Sequence, residues 1–328
     1  MTIMKRIYFN KIMKGVAAVA VLFGAASCSD DLDYELFTKY TYLMNNGWQE
    51  NIEMEINEDN TVDLPVYFGV NGTTGNSKDI SLTLAVDEDT LADYNFDKNK
   101  YDKESYYLLL PEDCYAFDKT VYTIPAGSLN AGGVCKIDLN KLREHNIYAE
   151  YVLPIKIATS EGEPVGPSKY TKALYFLNLK NEYSGIYSGN GNMKQIGTSY
   201  TTQATGKQLY AISRKECYLY AGNVDRTTTG RSSFILNLHF NDDGTIKLTA
   251  LNDAIELKEI SGTYNFKFYE NTSDTRKLIM MTTLYLKYEY KDITITDRDV
   301  RYSYEATLTK SEDVFKSDYP DASIEVED

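Results

Sequence analysis

The chain has 328 residues, 43 % hydrophobic and 25 % charged, a globular composition that excludes wholesale disorder and collagen-like repeats. That length suits about two domains of roughly 150 residues, each large enough to bury a core. A net charge of −14 removes the basic field that a nucleic-acid partner needs, and two histidines leave little material for histidine-based metal or nucleophilic chemistry.

In chain order, the first segment is an address and not a fold. Lys5, Arg6, Lys11 and Lys14 form a basic start, and Gly15 to Gly24 (GVAAVAVLFG) an apolar stretch. That stretch is half the roughly twenty residues a membrane-crossing helix needs. Ala25-Ala26-Ser27-Cys28 follows and resembles the lipobox read by the bacterial lipoprotein signal peptidase. The resemblance implies removal of residues 1–27, a diacylglyceryl group on the Cys28 thiol and insertion of its acyl chains into outer-membrane lipid. Several chains are needed because burial contributes only about 0.8 kcal/mol per CH₂. Residues 28–39 then read as a lipidated acidic tether. Its Ser29-Asp30-Asp31-Leu32-Asp33 resembles the surface-export signal of Bacteroidetes-type lipoproteins, which implies an extracellular face. Asp31-Leu32-Asp33-Tyr34-Glu35 echoes the carboxylate string of family-18 chitinases, but Cys28 stands where that motif needs a further Asp.

From residue 40 the apolar period is two. Leu64-Val66-Phe68-Val70, Ile80-Leu82-Leu84-Val86 and Tyr151-Leu153-Ile155-Ile157 alternate with polar or small residues. Later come Phe234 to Phe240, Tyr264-Phe266-Phe268, Leu284 to Tyr290 and Tyr302 to Leu308. Asn71-Gly72, Asn130 to Gly133, Gly189 to Asn192 and Asp243-Gly244 are reversal signals, the last between two strand patterns as in a hairpin. Helical signals are weak: one or two turns over Asp87 to Tyr94 and another over Asn140 to His145. The expected fold class is therefore all-β, an N-terminal immunoglobulin-like β-sandwich over residues 40–180 followed by an antiparallel β-barrel-like or sandwich domain over 181–310. The boundary falls where Asn181-Glu182-Tyr183-Ser184-Gly185 interrupts an apolar strand. Residues 311–328 lose the period, turn acidic and are expected to fray. Cys114, Cys135 and Cys217 are an odd number, so at least one thiol is free or pairs outside the chain. Cys114 and Cys135 can meet across neighbouring strands, and spacing does not decide it.

The order of short motifs carries a family resemblance. Leu64-Pro65-Val66, Leu91 with Tyr94-Asn95, and Leu110-Pro111-Glu112-Asp113-Cys114-Tyr115 are followed by Thr123-Ile124-Pro125-Ala126-Gly127 and Tyr151-Val152-Leu153-Pro154-Ile155. This series resembles the N-terminal sandwich of two-domain surface lipoproteins from Bacteroidetes-type polysaccharide-utilisation loci, a domain also found beside chitinase-like modules. Asn181 to Gly191 (NEYSGIYSGNG), Thr283 to Thr294 and Tyr302 to Leu308 resemble its all-β, barrel-like companion. The resemblance implies capture of glycans beside an outer-membrane importer complex. It carries over no binding residue.

The residues themselves offer no catalytic constellation. There is no GxSxG elbow, P-loop, HExxH or dinucleotide fingerprint, and no CxxC or Cys/His spacing for zinc. His145 and His239 read as exposed polar residues. The expectation is a non-enzyme with neither cofactor nor metal. What stands out is 29 Tyr, 12 Phe and one Trp. Sugar C–H faces stack on rings and sugar hydroxyls bond to polar rims, and Tyr serves both. Most of these rings belong to strands. Register sets Tyr269 and Tyr285 on outward faces, and Trp48 sits in a loop-like run as plug or platform. These three are the candidate glycan-binding residues. The competing expectation is a structural or adhesion subunit that binds no sugar itself.

Overall fold

The computed structural model describes residue 35 and residues 37–325. The signal segment, Cys28 and the acidic stretch through Asp33 lie outside the described residues. The N-terminal half supplies β1 (Thr41–Leu43), β2 (Gly47–Gln49), β3 (Glu53–Glu55), β4 (Thr61–Val70), β5 (Ile80–Val86), β6 (Leu108–Leu109), β7 (Tyr115–Phe117), β8 (Tyr122–Ile124), β9 (Asn130–Asp138), β10 (Tyr151–Glu161), β11 (Lys172–Phe176) and β12 (Asn178–Lys180). Its helices are α1 (Glu88–Asn99), α2 (Leu139–His145) and α3 (Ser168–Thr171). The C-terminal half supplies β13 (Gly185–Gln195), β14 (Thr201–Gln203), β15 (Gly206–Ser213), β16 (Glu216–Tyr220), β17 (Ile235–Phe240), β18 (Ile246–Ala250), β19 (Lys258–Glu270), β20 (Lys277–Lys291), β21 (Arg301–Phe315) and β22 (Ile324–Glu325). The fold is all-β with two domains, as the alternation predicts.

In the first domain one sheet runs β1-β4-β9-β7 and the other β2-β11-β10-β5-β8, with β6 beside β10. The inward phase of β4 (Leu64, Val66, Phe68) meets Ile80 and Leu82 of β5 and Leu153 and Ile155 of β10 in one core. Each such side chain contributes about 1.5–3 kcal/mol on burial. Helix α1 is longer than the expected one or two turns. It lies over the outside of the second sheet, where Leu91 packs with Val152 and Leu174. Asn95 fixes it by exchanging two hydrogen bonds of 2.9 Å with the backbone of Tyr107. Asp87, just before the helix, is buried between Lys156 (2.9 Å) and Lys172 (2.7 Å).

At the chain entry Glu35 accepts hydrogen bonds from the amides of Phe37, Thr73 and Thr74 and pairs with Lys39. Burial raises its pKa, but these donors outweigh burial and bring it down to about 2. The turn that holds it contains Gly72 at φ +133°, a conformation open to glycine and closed to other residues.

The second domain is one sheet, β18-β17-β16-β15-β13-β21-β20-β19-β22, with β14 beside β13. Strand β20 buries every second residue from Leu278 to Tyr290. The sheet curls until its β17–β18 hairpin meets β19: Thr245 bridges to Thr263, and the Tyr264 amide donates to the Gly244 carbonyl at 2.8 Å. Gly189 and Gly191 let β13 lie close on β21; a Cβ at either would overlap the facing strand.

Asn181 pins this domain's first strand. Its buried Nδ2 donates to the carbonyls of Ser213 (2.7 Å) and Glu216 (3.1 Å). Its Oδ1 accepts from the amides of Tyr183 (3.0 Å) and Ser184 (2.8 Å) and from the Cys217 thiol (3.3 Å). Cys114, Cys135 and Cys217 are all buried free thiols.

The expected fraying after residue 310 is not what the chain does. Strand β21 continues to Phe315 opposite Lys277, β22 adds to β19, and Tyr319 packs on Phe268. The reason is Lys310. It takes an inward position and satisfies its ammonium with the carbonyls of Glu182 and Ser184 and with Glu312, so the strand persists where the apolar period stops.

Candidate functional site

The two domains share a packed boundary. Ile212, Tyr218, Tyr220 and Ile235 of the barrel strands join the sandwich core. Beside that boundary lies a groove made of two adjoining depressions, ≈ 440 and ≈ 610 Å³. Both are lined by Ile186 of β13, Gln208 and Tyr210 of β15, and Arg226. Domain boundaries are favoured places for such concavities.

Strand register builds its floor. Tyr210 lies opposite Tyr218 in the β15–β16 pair, and their rings stack at 4.8 Å with 20° between planes. Tyr220 meets Tyr210 edge-on at 6.0 Å. Burial raises the Tyr210 hydroxyl pKa to about 12, so it stays a neutral donor. The loop after β16 supplies the polar wall. Arg226 donates from Nε to Glu150 of the first domain at 2.6 Å and lies 5.1 Å over the Phe176 ring. Burial works to lower the Arg226 pKa, and the Glu150 bond outweighs it, so the guanidinium is held charged. Lys207 donates to the carbonyls of Tyr220 (2.7 Å) and Val224 (3.2 Å), and burial brings its pKa down to about 8. Gln208, Asn223 and Thr227 are exposed along the rim, and Ile186 is 72 % exposed. Aromatic floor, apolar edge, amides and a fixed cation are the groups that grip a polyhydroxylated ligand.

The sequence-derived candidates lie elsewhere. Tyr269 and Tyr285 are half-buried on the outer face of β19 and β20, beside Ile279 and Thr263 respectively. Six residues of β20 separate those rows, about 20 Å of strand. The Tyr285 hydroxyl donates to Glu305 at 2.7 Å, which raises its pKa. Trp48 of β2 stacks on Tyr94 of α1 at 4.3 Å and 8°, with Tyr107 at 4.8 Å and Lys98 5.2 Å from the ring centre. The structure thus brings none of the three candidates together.

A family model of an N-terminal domain matches residues 37–164, and a companion model of a C-terminal domain matches 171–309. The two models fall one on each domain of the chain. A multidomain protein of Bacteroides ovatus that includes the domain of unknown function DUF1735 superposes with a TM-score of 0.74 at 21 % identity, over 85 % of this chain and 96 % of that one. An auxiliary nutrient binding protein of Bacteroides thetaiotaomicron gives 0.70 at 20 %, over 81 % and 91 %. A Bacteroides ovatus protein of unknown function gives 0.71 at 20 %, over 85 % and 93 %. No curated protein matches.

Sequence reasoning missed Gln208, Tyr210, Asn223 and Arg226, because a groove between domains leaves no periodic trace. The one signal was the loop-like run Ala221 to Gly230, polar between two strand patterns. No spacing rule joins Asp113 and Cys114 to His145, yet the fold sets their ligand atoms within 4.8 Å of one another.

Proposed function

We propose that this chain is a non-catalytic, lipid-anchored surface protein that captures a glycan in the interdomain groove for a nutrient-uptake system. The observation that carries the reading is the pairing, in one concavity, of the Tyr210 ring with the exposed amides of Gln208 and Asn223. The neighbour described as an auxiliary nutrient binding protein is compatible with a nutrient-utilisation role. The lipobox-like run before Cys28 supports an acyl anchor in the outer membrane, and the acidic residues after it support an outward face. An importer complex is the partner this arrangement serves.

A second glycan-binding reading uses the outer barrel face. Tyr269 and Tyr285 share it with Asn265, Lys267 and Thr283 between them, a strip long enough for an extended chain of several sugar rings.

Isothermal titration against a panel of soluble polysaccharides tests both. Groove capture predicts a binder whose affinity falls about tenfold or more in Gln208→Ala and Asn223→Ala with melting unchanged. Loss in Tyr269→Ala or Tyr285→Ala alone moves the site to the outer face. No binding across the panel favours a structural or adhesion subunit. Mass spectrometry of the native protein checks the anchor: absence of acyl mass on Cys28 overturns it, and resistance of intact cells to protease shaving overturns the outward face.

A further inference from the structure

We infer that Asp113, Cys114 and His145, residues of the sandwich domain that do not line the groove, form a binding site for one divalent transition-metal ion of the zinc class. Asp113 and Cys114 sit in a tight turn behind Pro111, where the Cys114 amide donates to the Pro111 carbonyl at 3.0 Å. His145 is the last residue of α2. That helix is fixed at both levels. Asp138 caps its start by accepting from the amides of Asn140 and Lys141, and Leu139 and Leu142 bury its inner side. Lys141 then donates to the Asp113 carbonyl at 3.0 Å and ties the helix to the turn.

The ligand atoms of the three residues lie within 4.8 Å of one another. His145 Nε2 lies 3.0 and 3.2 Å from the two Asp113 oxygens, and the Cys114 sulfur lies 3.8 Å from Asp113 Oδ1. Tetrahedral zinc, at about 2.0–2.3 Å from N, O and S, needs its ligand atoms roughly 3.4–3.6 Å apart. The spacings measured from Asp113 bracket that range. Asp113 and His145 are exposed, so an ion can enter from solvent, while the buried sulfur forms the floor. A thiolate, an imidazole and one carboxylate suit zinc, cobalt or nickel and not the all-oxygen shells of calcium or magnesium. Three protein ligands leave the fourth position to water.

Binding is an exchange of charge. The Cys114 S–H bond gives its proton to solvent and its electron pair to the metal, the His145 Nε2 proton that binds Asp113 moves by way of solvent to Nδ1 and frees the Nε2 lone pair for the ion, and thiolate plus carboxylate neutralise the dication.

The test is equilibrium dialysis of the full chain against zinc chloride, with cobalt(II) absorption as the second readout. The wild type should retain one ion per chain from micromolar metal, and cobalt should show a thiolate charge-transfer band. His145→Ala and Asp113→Asn change exposed residues and keep the fold; each should weaken retention about tenfold or more. Cys114→Ser should abolish the band while Cys135 and Cys217 remain. Retention equal to wild type in His145→Ala and Asp113→Asn, or less than one ion bound by the wild type, overturns the site.

Discussion

Replacing Asn181 with alanine tests whether one side chain ties the barrel together. The change removes five hydrogen bonds, four of them to backbone groups of the Tyr183–Ser184 turn and the β15–β16 hairpin. Each contributes about 0.5–1.5 kcal/mol net, and a buried group left without a partner costs about 1–3 kcal/mol more. Some of the freed carbonyls reach water near the hairpin turn, so the expected loss is about 3–5 kcal/mol. Urea unfolding of the full chain measures it, and hydrogen exchange shows where it falls. Protection should drop first in β15 and β16, next to the two carbonyls that lose their donor. Asn181→Asp sharpens the case, because it keeps the acceptor but aims a carboxylate at those carbonyls. That variant should be at least as damaged at neutral pH and should recover in part in acid, where the protonated group donates again. Asn223→Ala, which loses one exposed bond to Thr202, serves as the control and should change stability by less than about 0.5 kcal/mol. A loss below about 1 kcal/mol in Asn181→Ala would show that water replaces the network and that the pin is no pin.

Three further outcomes follow from the same geometry. Gly191→Ala should lower stability by about 1–3 kcal/mol in thermal or urea unfolding, because its methyl overlaps Ala306 and the Glu305 carbonyl across β13–β21; an unchanged midpoint refutes the close approach. Burial raises the pKa of Asp87, but hydrogen bonds from Lys172, Thr90 and Lys156 outweigh it and hold the group near 2. Its folded pKa is depressed, so its contribution of about 2 kcal/mol is present above about pH 4 and lost as pH falls through 2. The stability gap between wild type and Asp87→Asn should close over that window, and a gap constant from pH 7 to pH 2 contradicts the assignment. Glu35→Ala should speed proteolysis at Lys39, since the acid docks this stretch onto the amides of residues 73 and 74; equal cleavage rates refute the docking.

The sandwich and barrel strands were legible because burial alternates along them, and β20 holds its phase from Leu278 to Tyr290 without a slip. Tyr288 and Tyr290 share the Leu284 and Leu286 phase and are buried with them. The misses have a common cause, polar residues in inward places. Asn95 anchors α1 from within, so a search for an apolar helical stripe found only a turn or two. Lys310 sits inside β21, so the strand seemed to end five residues early. The groove and the Asp113–Cys114–His145 cluster arise from elements far apart in the chain. Local pattern records neither.

The pairing of β13 with β21 sets an order of events during synthesis. Ser188 faces Thr309 and Gln195 faces Tyr302, so the first strand of the barrel has no partner on its second edge until nearly the whole polypeptide exists. The hairpins β15–β16, β17–β18 and β19–β20 join strands close in the chain and can form as they emerge. Strand β13 must wait with one edge open, which slows closure and exposes unpaired backbone. Ile186 and Gln208, on β13 and its partner β15, line the groove. The groove wall is therefore the last surface to acquire its final shape, and a ribosome halted before residue 301 releases a chain whose sandwich strands are all present and whose groove wall lacks its backing.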